Sequence, residues 1–83
     1  MPRQETQRFH RVAIRLITDP ELPDTLDELA DQRQARNNAG RDARGYLRGK
    51  GIELPDEAEV TFTPDNWSVR VCAFGYCLTL APE

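Results

Sequence analysis

The apolar residues of this chain change their period once, at Pro55. Before it they recur every three or four residues, and after it they alternate with polar ones. Helices repeat every ~3.6 residues and strands every ~2, so the change demands a helical first part and a sheet after it. With 83 residues the chain has room for one small domain. It spans residues 1–83, with a helical part over 5–50 and a β-meander over 57–81.

Residues 5–17 form the first predicted helix. Phe9, Val12, Ala13, Leu16 and Ile17 share one face, and Arg8, Arg11 and Arg15 lie opposite. His10 stands beside the apolar stripe and reads as a boundary residue. Asp19-Pro20-Glu21 starts a second helix: aspartate caps free amides, proline suits the first helical position, and glutamate complements the dipole. Leu22, Leu26, Leu29 and Ala30 form its stripe, which fades after Asp31. Residues 32–40 read either as a solvated helix end or as a connection. A further helix is expected over about residues 41–49, lined by Ala39, Ala43, Tyr46 and Leu47 and stopped by Gly51. Gly40, Gly45 and Gly49 weaken it by roughly 1 kcal/mol each relative to alanine, and they permit close packing against another backbone.

After Pro55, Val60 and Phe62 alternate with Thr61 and Thr63, and Pro64-Asp65-Asn66 is turn chemistry. Trp67, Val69 and Val71 alternate with Ser68, Arg70 and Cys72; Gly75 breaks the run; Tyr76, Leu78 and Leu80 alternate with Cys77 and Thr79. The predicted fold is α+β: two or three N-terminal helices packed on a three-stranded antiparallel β-meander. Its covered face is Val60, Phe62, Trp67, Val69, Val71, Leu78 and Leu80.

Parity places the only two cysteines, Cys72 and Cys77, on the opposite, more polar face. A two-residue turn at Phe74-Gly75 sets them directly across from each other, with Cα atoms about 4.5 Å apart, within reach of a disulfide. A type I turn with Gly75 in the left-handed conformation pairs Cys72 with Tyr76 instead and staggers the thiols. Phenylalanine disfavours the positive φ that the two-residue turn requires. The stretch MPRQETQRFH carries no apolar run of a secretory signal, which points to a cytoplasmic address where stable disulfides are uncommon. On these grounds a pair of free thiols is expected.

Charge comes in bands within a net charge of −3. Residues 19–31 carry Asp19, Glu21, Asp24, Asp27, Glu28 and Asp31 with no base; residues 33–50 carry Arg33, Arg36, Arg41, Arg44, Arg48 and Lys50 against Asp42 alone. The expectation is that adjacent bands neutralise each other within the fold. A nucleic-acid face is disfavoured by the net negative charge and the flanking acidic bands. The five arginines are the candidate surface for an acidic protein partner, and a core this small makes a homo-oligomer a natural completion.

No catalytic residue, cofactor or metal is expected. A structural zinc site takes four ligands, and two cysteines with one distant histidine supply too few. The spacing of Gly40, Gly45, Gly49 and Gly51 matches neither the dinucleotide nor the P-loop signature. No apolar run approaches a membrane span.

Asp42-Ala43, Leu47, Gly51-Ile52-Glu53-Leu54-Pro55 and Glu59-Val60, together with ITDPEL at 17–22, form a recognisable series. Over residues 41–62 it resembles the nitrile hydratase alpha-subunit-like leader domain of ribosomally made, post-translationally modified peptides. The hydratase's own Cys-x-x-Cys-x-Cys run is missing, and no Gly-Gly cleavage point follows Val60. The resemblance implies a recognition handle for a modifying enzyme, with Ser68, Cys72, Cys77 and Thr79 in the modifiable tail. The tail alternates like a folded sheet, so the first functional expectation is a non-enzymatic protein-binding module with a leader-like fold. A modified precursor peptide is the alternative, and a redox or metal-binding protein using Cys72 and Cys77 is a third.

Overall fold

The computed structural model describes residues 3–82. Four helices precede the sheet: α1 (Arg3–Ile17), α2 (Leu22–Asp31), α3 (Arg33–Arg41) and α4 (Ala43–Gly49). Strands β1 (Glu59–Thr63), β2 (Ser68–Ala73) and β3 (Tyr76–Leu80) form one antiparallel sheet in the order β1-β2-β3. The α+β fold with N-terminal helices over a three-stranded meander is as the change of period requires.

Residues 32–40 hold the main surprise in the helical part. They are neither a loose helix end nor a connection, because 33–41 is a helix of its own. Its inward face carries only Ala35 and Ala39, both buried, which is too small a stripe to register as amphipathic. Single residues separate the last three helices. Gln32 (φ −118°, ψ 121°) donates its N–H to Glu28 O, closing α2, while its own carbonyl accepts from Arg36 N and opens α3. Asp42 repeats the arrangement between α3 and α4, and its Oδ1 also accepts from Gly45 N at 3.0 Å. That bond fills one of the free donors of a helix start. It also accounts for Gly45, since a Cβ there would collide with the Asp42 carboxylate. The expected close approach of another backbone at Gly40 and Gly49 is absent: nothing lies within 4 Å of a Cβ at either position.

Asp19 lies two residues before the N-cap rather than at it, and Pro23, not Pro20, is the proline of the first turn. The Asp19 Oδ1 accepts from Glu21 N at 2.9 Å, shaping the turn that leads into α2, and Glu21 at the N-cap makes no side-chain cap. Helix α4 stops as expected. Gly51 takes φ +84°, Ile52 N–H donates to Leu47 O, and Gly51 N–H donates to Arg48 O. This paired closure, with Leu47 and Ile52 both buried, is the Schellman arrangement.

In the sheet, the rows Phe62–Val69–Leu80 and Val60–Val71–Leu78 line the covered face. Val69, Val71 and Leu80 are buried, and Phe62, Val60 and Leu78 pack against the core half-buried. The opposite face carries Thr61–Arg70–Thr79 and Glu59–Cys72–Cys77. Trp67 departs from expectation. It belongs to the β1–β2 turn rather than to β2, with φ +55°, and is half-buried. Ser68 is buried against its parity, its N–H and Oγ both donating to Asn66 Oδ1.

Leu16, Leu22, Leu29, Leu47 and Ile52 from the helical part close over this sheet face. Helix α1 lies along the β2–β3 hairpin: Phe9 and Tyr76 rings are 5.5 Å apart, and Arg8 stands 5.9 Å from the Phe74 ring. Ile14 and Ile17 of α1 remain exposed, and so does His10.

Candidate protein-binding groove

The five arginines proposed from sequence as one surface divide into two kinds. Arg36 Nη1 donates to the carbonyls of Leu29 (2.9 Å) and Ala30 (3.0 Å), near the unpaired C-terminal end of α2. Its guanidinium also lies 4.2 Å from the Trp67 ring centroid. Arg44 donates to the carbonyls of Ala58 (2.7 Å) and Pro55, fastening α4 to the segment that enters β1. A helix C-terminus and an irregular loop both leave carbonyls without partners, and a guanidinium offers several donors in a fixed fork. These two side chains are internal fastenings: Arg44 leaves the predicted partner surface, and Arg36 stays on it only as a side chain already held by α2 and Trp67. Reversing their charge would break the fold rather than probe binding.

Arg33, Arg41 and Arg48 are exposed and make no ion pair among the described residues. Arg33 and Arg41 stand at the two ends of the outward face of α3. With Arg36, Phe62, Pro64 and Trp67 they line an open groove of about 540 Å³ between α3 and the β1–β2 turn. Arg48 lies on α4 outside it. The groove therefore combines two free cations with an aromatic wall, one side of which is already held in place by Arg36. Trp67 was expected in the core; the turn chemistry of Pro64-Asp65-Asn66 immediately before it is the one signal in the sequence that places it elsewhere.

Among the described residues, the expected mutual neutralisation of the charge bands is limited to one ion pair, Lys50–Glu28, at 2.6 Å. Tyr46 adds its hydroxyl to the same carboxylate at 2.9 Å. The Lys50 hydrogen bond, followed by that of Tyr46, lowers the Glu28 pKa below the usual carboxylate value. Burial, then the Glu28 carboxylate, raises the Tyr46 phenol. This cluster locks α2 to α4 across a second open groove that Arg41 also borders.

At the other end of the molecule Cys72 and Cys77 form a disulfide, not the free pair expected. Phe74 adopts φ +54° and Gly75 φ +84°, so the hairpin turn is the two-residue form with both central residues left-handed. Ala73 then pairs with Tyr76, and Cys72 sits opposite Cys77 with Cα atoms 4.0 Å apart. The preference of phenylalanine for negative φ is overridden by tertiary contact: Phe74 packs half-buried on the core and under Arg8. Parity itself holds, since Cys77 is exposed and Cys72 half-buried on the outer face.

No known protein family, curated protein or solved structure matches the chain. Among the described residues no helix is long and apolar enough to cross a membrane.

Proposed function

We propose that the chain is a small non-enzymatic protein-binding module whose groove beside Trp67 takes an acidic segment of a partner protein. The observation that carries this reading is the pair of free guanidinium groups, Arg33 and Arg41, flanking an aromatic wall in one groove. Arginine and tryptophan are the residues most enriched at the energetic centres of protein interfaces. Cations left unpaired inside the fold favour steering of an opposite charge toward that wall. The likeness of residues 41–62 to a leader domain supports the same role, a handle recognised by another protein. The cytoplasmic setting expected from sequence stays part of this proposal, although the Cys72–Cys77 disulfide is of a kind uncommon there.

Trp67 is the sole tryptophan and reports directly on the groove. Titration of a short glutamate-rich peptide is expected to change its emission saturably at low salt, with the effect weakening as salt rises. The Arg33→Glu/Arg41→Glu double variant is expected to lose the response while keeping its circular dichroism. A wild-type protein that gives no saturable change at low salt, at a concentration where it runs as a single copy, would overturn the reading.

One observation favours a second reading: the disulfide lies on the outer sheet face with Cys77 exposed, within reach of an attacking thiolate. A modified-precursor role has less support, because the would-be tail contributes Val69, Val71 and Leu80 to the core. Intact mass of the protein from its own host separates these. Loss of two hydrogens marks the disulfide, and loss of water or a crosslink marks the precursor.

A further inference from the structure

Helix α2 carries on its outward side three exposed carboxylates, Asp24, Asp27 and Asp31, spaced three and four residues apart. None is ion-paired among the described residues. The neighbouring acid on the same helix, Glu28, is already neutralised by Lys50. The outward side of α3 carries the opposite charge at matching length. At about 1.5 Å of rise per residue, Asp24 to Asp31 spans about 10 Å and Arg33 to Arg41 about 12 Å. Between the two arginines lie Asn37 and Gly40, and nothing lies within 4 Å of a Cβ at Gly40. That leaves a low centre where another helix can approach between two cations.

Both stripes thus survive folding unneutralised, side by side in sequence, each complementary to the other. A single copy does not bring them together, because the one-residue break at Gln32 orients α2 and α3 separately and Arg36 holds that corner in place. We infer that the occupant of the groove is a second copy of this chain, with the Asp24–Asp27–Asp31 stripe of one copy lying against Arg33 and Arg41 of the other, reciprocally. This rests on the groove being a protein-binding site for acidic segments. A self-complementary patch used twice is the commonest way for a small protein to dimerise. Charge fixes the register, since shifting the stripe by one helical turn leaves one cation unpaired.

Sedimentation equilibrium tests the inference. The wild-type chain is expected to run at twice its 9.5 kDa mass at low salt and to fall to the single-chain mass near 1 M salt, where screening acts within about 3 Å. Arg33→Glu/Arg41→Glu and Asp27→Lys/Asp31→Lys should each weaken self-association by about 100-fold, since like charges then face each other. Both double variants should keep the wild-type circular dichroism spectrum, and their melting should match that of the wild type diluted to a single copy. Their equimolar mixture should recover the paired mass, because the reversed charges complement one another across the interface. A wild-type chain that stays single at its highest attainable concentration overturns the inference. So does a dimer that neither double variant weakens, or a mixture of variants that stays single. If the chain is single but the glutamate-rich peptide still moves Trp67 emission, the groove binds acidic segments and only the identity of the occupant is wrong. If both fail, both are wrong.

Discussion

The arch of α2, α3 and α4 and the β2–β3 hairpin are held by different means. The hairpin is held by repetition: an antiparallel ladder, alternating Val69, Val71, Leu78 and Leu80, and one covalent bond between Cys72 and Cys77 on the outer face. The arch has no such regularity. Its inward residues include small ones, Ala35, Ala39 and Ala43, and its helices are broken twice by single non-helical residues, Gln32 and Asp42. What joins its parts are long polar side chains run back to main-chain carbonyls: Arg36 to α2, Arg44 to the loop before β1, and Lys50 and Tyr46 to Glu28. A charged residue in the hairpin is therefore where it looks, on the surface. A charged residue in the arch has to be sorted into one that fastens and one that is free.

The largest expected break in this comparison is Arg36→Ala. Hydrogen bonds from a charged donor contribute about 1.5–3 kcal/mol each when the partner is left unpaired. Two carbonyls and the Trp67 contact are lost together, so about 3 kcal/mol of stability should go, read from urea unfolding. Reduction of Cys72–Cys77 should cost less. Closing a loop this short restricts the unfolded chain by about 2 kcal/mol, and the ladder beside it remains. The reduced protein should stay folded, with a lower unfolding midpoint and faster amide exchange confined to the hairpin. A reduced protein that unfolds outright would mean that the disulfide, not the ladder, holds that end.

The smallest effect is on pH dependence. Glu28 has a lowered pKa in the fold, so its contribution is present above the usual carboxylate value of about 4.3 and is lost as pH falls through the folded value. Tyr46 has a raised pKa, so its contribution is present below about 10 and is lost as pH rises toward the folded value. Stability should therefore be flat between these limits and decline on both sides. Glu28→Gln should make the acid-side decline shallower. An unchanged acid limb in that variant would show that the α2–α4 fastening carries little energy.

The same comparison explains what was legible in the sequence. Period two is set by the backbone of a strand, so the meander and the outward cysteines followed from alternation, whereas the β2–β3 register depended on the turn. The Phe74 turn did not, because the contacts that offset its left-handed φ come from α1, distant in sequence. Helix α3 did not, because a face made of Ala35 and Ala39 gives no stripe. The roles of Arg36 and Arg44 did not, because nothing local tells a guanidinium that reaches a carbonyl seven or fourteen residues away from one that faces water. Trp67 moved from core to groove wall through a turn whose residues were readable but whose extent was not.

Arginines alike in sequence divide into fastenings, Arg36 and Arg44, and exposed groups without an ion pair among the described residues, Arg33, Arg41 and Arg48. Urea unfolding of Arg44→Ala and Arg33→Ala, followed side by side, tests this division most directly. Arg44→Ala should lose about 2–3 kcal/mol, since it removes two charge-assisted hydrogen bonds, to the Ala58 and Pro55 carbonyls, and leaves Pro55 O only its bond from Ala58 N. Arg33→Ala should stay within about 0.5 kcal/mol of wild type, as exposed substitutions do. Equal losses in the two variants, or a larger one at Arg33, would contradict the division and the function drawn from it.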